Sequence, residues 1–217
     1  MNKLFTFDEK YLEKYDYLIG TDEAGRGPGA GAVFAAAVCF PVINDKIKNS
    51  LDKLNDSKQL TENTREKLYE IITKNSIYAV FQGSVEEIEK FNILRTSLLT
   101  MKKCVEAVIN KLKTTNLKIL VDGNKKIPNL SYNQEALIKG DSKSAAIAAA
   151  SIIAKVERDR YMLELDKEFP QYNWKENKGY ITKEHLKAID EYGLTKWHRK
   201  KFFEKHFNKS EQLCLFN

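Results

Sequence analysis

The sequence predicts an α/β domain, on three observations. Apolar runs of strand length recur along the chain, segments of helical periodicity separate them, and one long Ala-rich segment carries its small side chains on one face. With 217 residues, 42% of them hydrophobic and 30% charged, the chain is long enough for one well-buried core and short for two full-sized domains.

Tyr15 to Asp22 (YDYLIGTD) is a β-rich run entering a Gly-rich turn, and Gly31 to Phe40 (GAVFAAAVCF) is a second apolar run stopped by Pro41. The two read as strands joined by the turn. Thr61 is placed to cap a helix running to about Lys74, because its hydroxyl accepts an N–H that the first helical turn leaves unpaired. Ser76 to Val85 (SIYAVFQGSV) reads as a third strand. A helix follows over about Ile93 to Leu112, and then Leu117 to Asp122 (LKILVD), a short apolar run ending in Asp-Gly that suits a buried central strand. Asp122 then stands at the C-terminal end of a strand, and Glu135 to Lys139 is a candidate fifth strand. Gly140-Asp141-Ser142 introduces the long helix, which reaches about Glu168. Its Ala145, Ala146, Ala149, Ile152, Ile153 and Val156 make an apolar face that permits close approach to a sheet. Pro170 stops it, and shorter helices with basic and aromatic residues follow.

No stretch approaches the roughly 18 apolar residues of a membrane span, and the first eleven residues have no apolar signal region, so a cytoplasmic protein is expected. Cys39, Cys104 and Cys214 are far apart and in no zinc-like spacing with His185, His198 or His206, so they read as reduced thiols. The net charge of +6 suggests a polyanionic partner. Most of it is local: Lys196, Arg199, Lys200, Lys201, Lys205 and Lys209 stand against Glu204 alone, with Trp197, Phe202, Phe203 and Phe207 interleaved.

Four carboxylates carry the chemical signal. Asp22 and Glu23 at the end of the first strand, Asp122 at the end of a later one and Asp141 at a helix start could converge at one sheet edge. Gathered carboxylates repel one another, so such a cluster needs a cation, and oxygen ligands suit Mg²⁺ or Mn²⁺. Two such ions about 4 Å apart activate a water and stabilise the leaving oxygen in phosphodiester hydrolysis. Each residue also has an ordinary reading: Asp141-Ser142 before an Ala-rich helix suits an N-cap, and Asp122-Gly123 suits a turn. Neighbouring residues on a regular strand face opposite ways, so Asp22 and Glu23 share an ion only if the strand ends or bulges there.

Beyond this chemistry, Asp22-Glu23-Ala24-Gly25-Arg26-Gly27-Pro28 resembles the signature of ribonuclease HII, a type 2 ribonuclease H of bacterial type. Other motifs follow in that family's order: Asp56-Ser57-Lys58-Gln59-Leu60, Val121-Asp122-Gly123, Gly140 to Ala145 with Ile152 to Lys155, Lys178-Gly179-Tyr180, and His198-Arg199. The match spans about residues 17 to 203. Three departures stand out: Ile181 follows Tyr180 where the family has Gly, Asn177 replaces a His, and Lys201 stands where the family has Ser.

The resemblance implies a ribonuclease H-like fold: a mixed five-stranded sheet flanked by helices over residues 1–168, and a small helical, nucleic-acid-binding C-terminal subdomain over 169–209. It implies hydrolysis of the RNA strand of RNA–DNA hybrids and incision 5′ of ribonucleotides embedded in duplex DNA. The ends left are 3′-hydroxyl and 5′-phosphate, and the role is in replication and ribonucleotide excision repair. Asp22, Glu23, Asp122 and Asp141 become the catalytic ligands of Mn²⁺ or Mg²⁺. Gly25, Arg26 and Gly27 resemble the loop that reads the ribose 2′-hydroxyl, for which glycines open the backbone to a sugar. Tyr180 matches a tyrosine that packs on the adjoining nucleotide, Lys58 and Lys143 are candidate phosphate contacts, and the basic segment from Thr195 to Lys209 should hold the duplex backbone. Its aromatics are expected mostly in the subdomain's own core. The extra N-terminal domain of ribonuclease HIII has no room in the 21 residues before Asp22, and a monomer is expected.

Residues 210–217 read as a tail. Its Gln212-Leu213-Cys214-Leu215-Phe216 resembles the short motif by which bacterial replication and repair proteins bind the sliding clamp. Gln212, Leu213, Leu215 and Phe216 are the expected anchors, since exposed apolar side chains gain by entering a partner's pocket.

Overall fold

The structure is a computed structural model that describes residues 2–204 and 206–207. Its strands are β1 (Tyr17–Ala24), β2 (Val33–Cys39), β3 (Ile77–Gly83), β4 (Leu117–Asp122) and β5 (Asn133–Leu137). Its helices are α1 (Lys3–Leu12), α2 (Asp45–Ser50), α3 (Glu62–Asn75), α4 (Val85–Phe91), α5 (Ile93–Leu112), α6 (Ala145–Glu168), α7 (Trp174–Asn177) and α8 (Lys183–Tyr192). The strands form one mixed sheet in the order β3-β2-β1-β4-β5. The pairs β3–β2 and β2–β1 are antiparallel, and β1–β4 and β4–β5 are parallel.

Thr61 caps α3 as the sequence predicts, accepting the Thr64 N–H at 3.3 Å. Three helices go unpredicted. The first, α1, starts at Asn2, whose side chain accepts the Leu4 N–H and donates to the carbonyls of Leu51, Asp52 and Leu54. Its Phe5 is fully buried against Phe40, so tertiary packing rather than a visible apolar stripe sustains it. The short α2 and α4 are held by their caps, Asn44 and the Ser84–Glu87 capping box.

Two apolar layers sandwich the sheet. On one face α1, α3 and α6 pack against Ala36 and Val38; on the other α5 packs against Ile19, Ala35, Ala37, Ile119 and Val121. Through its first ten residues α6 is buried on every side. It lies so close to β1 that a Cβ on Gly20 would sit 2.2 Å from the Ala146 carbonyl carbon. The small residues anticipated on this helix therefore meet a glycine on the strand, and together they bring the start of α6 down beside the C-terminal ends of β1 and β4. Farther along, Met162 and Leu165 of α6 join Ala30, Tyr172, Trp174, Ile189 and Phe203 in a separate apolar cluster built by the C-terminal helices. No helix among the described residues is long and apolar enough to cross a membrane.

Candidate active site

The register of the sheet brings the first two carboxylates together. The β1–β4 ladder runs from Tyr17↔Leu117 to Thr21↔Val121, so the next residues, Asp22 and Asp122, stand side by side at the strand ends. In parallel strands roughly 4.8 Å apart, such neighbours present their side chains to the same face. Asp22 accepts the Glu23 N–H at 2.7 Å and a hydrogen bond from Ser151 of α6. Asp122 accepts the Gly140 N–H at 2.7 Å, which ties the end of β4 to the 3-10 turn Gly140–Ser142 that carries Asp141. The helix cap itself is Ser144, accepting the Ile147 N–H, so Asp141 is free of the capping role that its sequence position suggested.

Glu23 is the next residue of β1 after Asp22. The β1–β2 ladder continues without a bulge through Asp22↔Ala36, Glu23↔Ala35 and Ala24↔Phe34, while pairing with β4 stops after Thr21. The strand thus ends on one side only. Glu23 bonds to Ser97 of α5 and to Arg26 at 3.2 Å, and it lies near enough to Asp22 to raise that carboxyl.

The electrostatics make these residues one group. Burial pushes the Asp22 carboxyl well above the usual carboxylate range, and Glu23 and Asp122 add to the effect. Burial also raises Glu23, opposed by Arg26 and reinforced by Asp122. Asp141 is pushed up to about 6 by burial, then by Asp122 and Asp56, with Lys58 opposing. Asp122 acts on all three neighbours, the field a divalent cation would neutralise. Among the described residues no three His, Cys, Asp or Glu side chains are grouped so as to hold one ion. Carboxylate oxygens are the donors that suit a hard ion such as Mg²⁺, which takes one or two carboxylates together with substrate phosphates.

Beside the carboxylates, Glu23, Gly25, Arg26, Gly27, Lys58 and Tyr180 line one cleft, floored by Ser57, Ser151, Lys155 and Arg158. Gly25 adopts φ +99°, and a Cβ there would meet the Arg158 side chain at 2.1 Å, so the position admits only glycine. Gly27 faces the Tyr180 ring, whose Cε1 lies 3.4 Å from where a Cβ would be. Tyr180 itself is half exposed. Lys58 is held by its backbone N–H to Asp56 while its side chain stays exposed. The preceding Ser57 shares a hydrogen bond with Ser151, which also contacts Asp22. Lys143 lies elsewhere: it is exposed, donates to the Ile138 carbonyl at 2.9 Å and does not line the cleft.

The sequence profile of ribonuclease HII matches residues 19–210. A ribonuclease HII of Pelagibacter ubique is 53% identical over 188 residues, covering 85% of this chain and 95% of that relative. The chain belongs to the ribonuclease HII family. It is therefore a ribonuclease H, a hydrolase acting on RNA–DNA hybrids. The fold agrees with solved members. Ribonuclease HII in its PCNA complex from Archaeoglobus fulgidus superposes with TM-score 0.68 at 28% identity, covering 84% of this chain and 93% of that one. Ribonuclease H2 of Pyrococcus horikoshii superposes with TM-score 0.65 at 25% identity, covering 89% and 99%.

Within this ribonuclease HII scaffold, the expectation that the basic C-terminal segment holds the duplex is corrected at Arg199. That side chain is fully buried, with its guanidinium among backbone carbonyls of the Gly25–Gly31 loop, so no phosphate can reach it. Phe203 is buried and Trp197 and Phe202 are partly buried in the apolar cluster of the C-terminal helices, as expected for most of the aromatics. Other supports escaped the sequence reading: Ser97 and Ser151 behind the carboxylates, Asp8 at the start of α6, and Arg158 under Gly25. Arg158 had a usable signal, since it lies four residues from both Ala154 and Met162 on the buried stripe of α6, where a charge demands partners. Cys39 and Cys104 are buried free thiols. Lys205, Lys209 and the tail residues Gln212, Leu213, Leu215 and Phe216 lie outside the described residues.

Proposed function

We propose that this ribonuclease H incises 5′ of single ribonucleotides in duplex DNA as well as within RNA–DNA hybrids, leaving 3′-hydroxyl and 5′-phosphate ends. The supporting observation is the adjacency of two features: Asp22 and Asp141, both raised by burial and by the neighbouring Asp122, and a cleft in which Gly27 faces Tyr180. Asp22, Glu23, Asp122 and Asp141 are the residues that would hold Mn²⁺ or Mg²⁺. Two such ions, when bound, supply activation of a water and stabilisation of the leaving oxygen. The chain's own residues do the rest. Gly25 and Gly27, lacking side chains, admit the sugar to the loop backbone, where a 2′-hydroxyl is told from hydrogen. Tyr180, half exposed beside Gly27, offers a flat face to the adjoining base or sugar. Lys58, exposed at the cleft and lowering the Asp141 pKa, is set to meet a phosphate.

Such an incision initiates removal of ribonucleotides left in DNA by replication, in the cytoplasm, by a monomer whose 169–209 segment grips the duplex. A sliding clamp is the expected partner of Gln212, Leu213, Leu215 and Phe216, a reading supported by the PCNA complex of the Archaeoglobus fulgidus relative. The test is cleavage of a duplex with one ribonucleotide in Mn²⁺ or Mg²⁺, mapped to the nucleotide. A cut on the 5′ side, absent from the all-DNA duplex and abolished in Asp22→Asn with binding retained, is expected. Cleavage undiminished in Asp22→Asn would refute the site.

A further inference from the structure

We propose that His198 and Arg199 form a strut that sets both walls of the cleft, Arg199 holding the Gly25–Gly31 loop and His198 holding Tyr180, so that they act as positioning residues for ribonucleotide discrimination. The inference rests on the cleft being where the ribonucleotide is read.

One wall hangs on Arg199. Its Nε donates to the Gly31 carbonyl at 2.9 Å, one terminal nitrogen to Arg26 and Pro28 at 3.3 and 2.7 Å, and the other to Gly25 and Gly31 at 2.7 and 2.8 Å. Those five bonds use all the N–H groups a guanidinium has. In a trans peptide the carbonyl and the following N–H point opposite ways. Drawing in the Gly25 and Arg26 carbonyls therefore turns the N–H groups of Arg26 and Gly27 away from Arg199, and both residues line the cleft. Arg158 braces the same loop from α6, donating to the Ala30 and Ala32 carbonyls. Among the described residues neither arginine makes a salt bridge within 4 Å; backbone oxygens alone satisfy them. A buried cation that spends every donor on one loop makes that loop's conformation stiff.

The other wall hangs on His198. Its Nδ1 accepts the Thr195 N–H at 2.9 Å, so in the neutral ring the proton is on Nε2 and is donated to His185 Nε2 at 3.1 Å. His185 then carries its proton on Nδ1 and donates it to the Tyr180 carbonyl at 2.9 Å. Trp174 donates to the same His185 nitrogen, which fixes the assignment. Burial and the neighbouring His185 hold His198 down to about 3, so the relay stays neutral. The walls are also stitched directly: the Gly29 and Ala30 N–H groups donate to the Gly179 carbonyl, Gly31 N–H to Trp197 and Arg199 N–H to Gly29. Two adjacent residues thus carry both surfaces between which the sugar would sit.

Arg199→Lys keeps the charge and loses the planar fork. The readout is the ratio of Kd for a duplex with one ribonucleotide to Kd for the same sequence in DNA, by fluorescence anisotropy in chelating buffer. In Arg199→Lys the preference should fall about tenfold or more, while the all-DNA Kd stays within about twofold because the surface charge is unchanged. An unchanged ratio, or a parallel loss of both affinities, overturns the strut. His185→Leu removes the donor to Tyr180 and His185→Asn keeps one near the same place. The strut requires Asn to restore a preference that Leu loses, and equal ratios in the two overturn it even if Arg199→Lys fails to fold. Absence of any preference in the wild type would instead sink the reading of the cleft itself, and the strut with it.

Discussion

Replacing Asp8 by Asn removes a buried negative charge from the N-terminus of α6. Asp8 reaches from α1 to accept the Ala146 N–H at 2.9 Å, is almost wholly buried, and leaves Oδ1 without a partner. Burial is the main cause that lifts its pKa from 3.8 to about 7, against the opposing hydrogen bonds of Ser144, Ala145 and Ala146. The folded protein therefore binds this proton more tightly than the unfolded chain does. The stability so gained is fully present below 3.8 and is lost as pH rises through about 7. At about 1.4 kcal/mol per pH unit, the rise from about pH 5 to about pH 8 removes about 2.5 kcal/mol from the wild type. The asparagine side chain keeps an acceptor for Ala146 and carries no charge, so Asp8→Asn should not show this loss. Urea denaturation of both proteins across that range, with a chelator present, is the assay; Asp22 and Asp141 titrate in both and cancel. Parallel pH profiles for the two proteins would refute the reasoning, because they would mean that the start of α6 keeps Asp8 ionised in the fold.

Two further substitutions test packing and contact. Gly20→Ala places a Cβ 2.2 Å from the Ala146 carbonyl carbon and 2.3 Å from the Ile147 nitrogen. Backbone on both sides cannot give, so a loss of about 3 kcal/mol is expected in chemical denaturation, and a cost under about 0.5 kcal/mol would show that α6 is free to lift. Lys58→Ala should raise KM for a ribonucleotide-containing duplex by about tenfold and lessen its salt dependence, whereas Lys143→Ala, outside the cleft, should change it less than about twofold. Steady-state cleavage at two salt concentrations separates them, and equal effects would put Lys143 back on the substrate path.

Much of the scaffold was legible because its signals are local. The run Leu117–Asp122, the helix Ile93–Leu112 and the Thr61 cap follow from periodicity and hydrogen-bonding chemistry within a few residues. The helix α1 was not legible, since its reasons for being lie at Phe40, Leu51, Leu54 and Ala146. The carboxylates divide the same way. That four acids stand at element ends could be read directly; that Asp22 lies beside Asp122 required the β1–β4 register, and that Asp141 is spared from capping required Ser144.

By itself, then, the sequence placed four acids at element ends and, through motifs in family order, determined which family the chain belongs to. Only the tertiary structure decided how they are aimed. It gave Glu23 the partners Ser97 and Arg26, on a strand whose ladder with β2 stays regular through Ala24. It also took Arg199 from a basic surface segment into the interior, because carbonyl oxygens of one loop, rather than a phosphate, accept its five hydrogen bonds. A charge in a sequence carries no mark of which side of the surface it will occupy: that depends on whether distant backbone oxygens converge to replace its water.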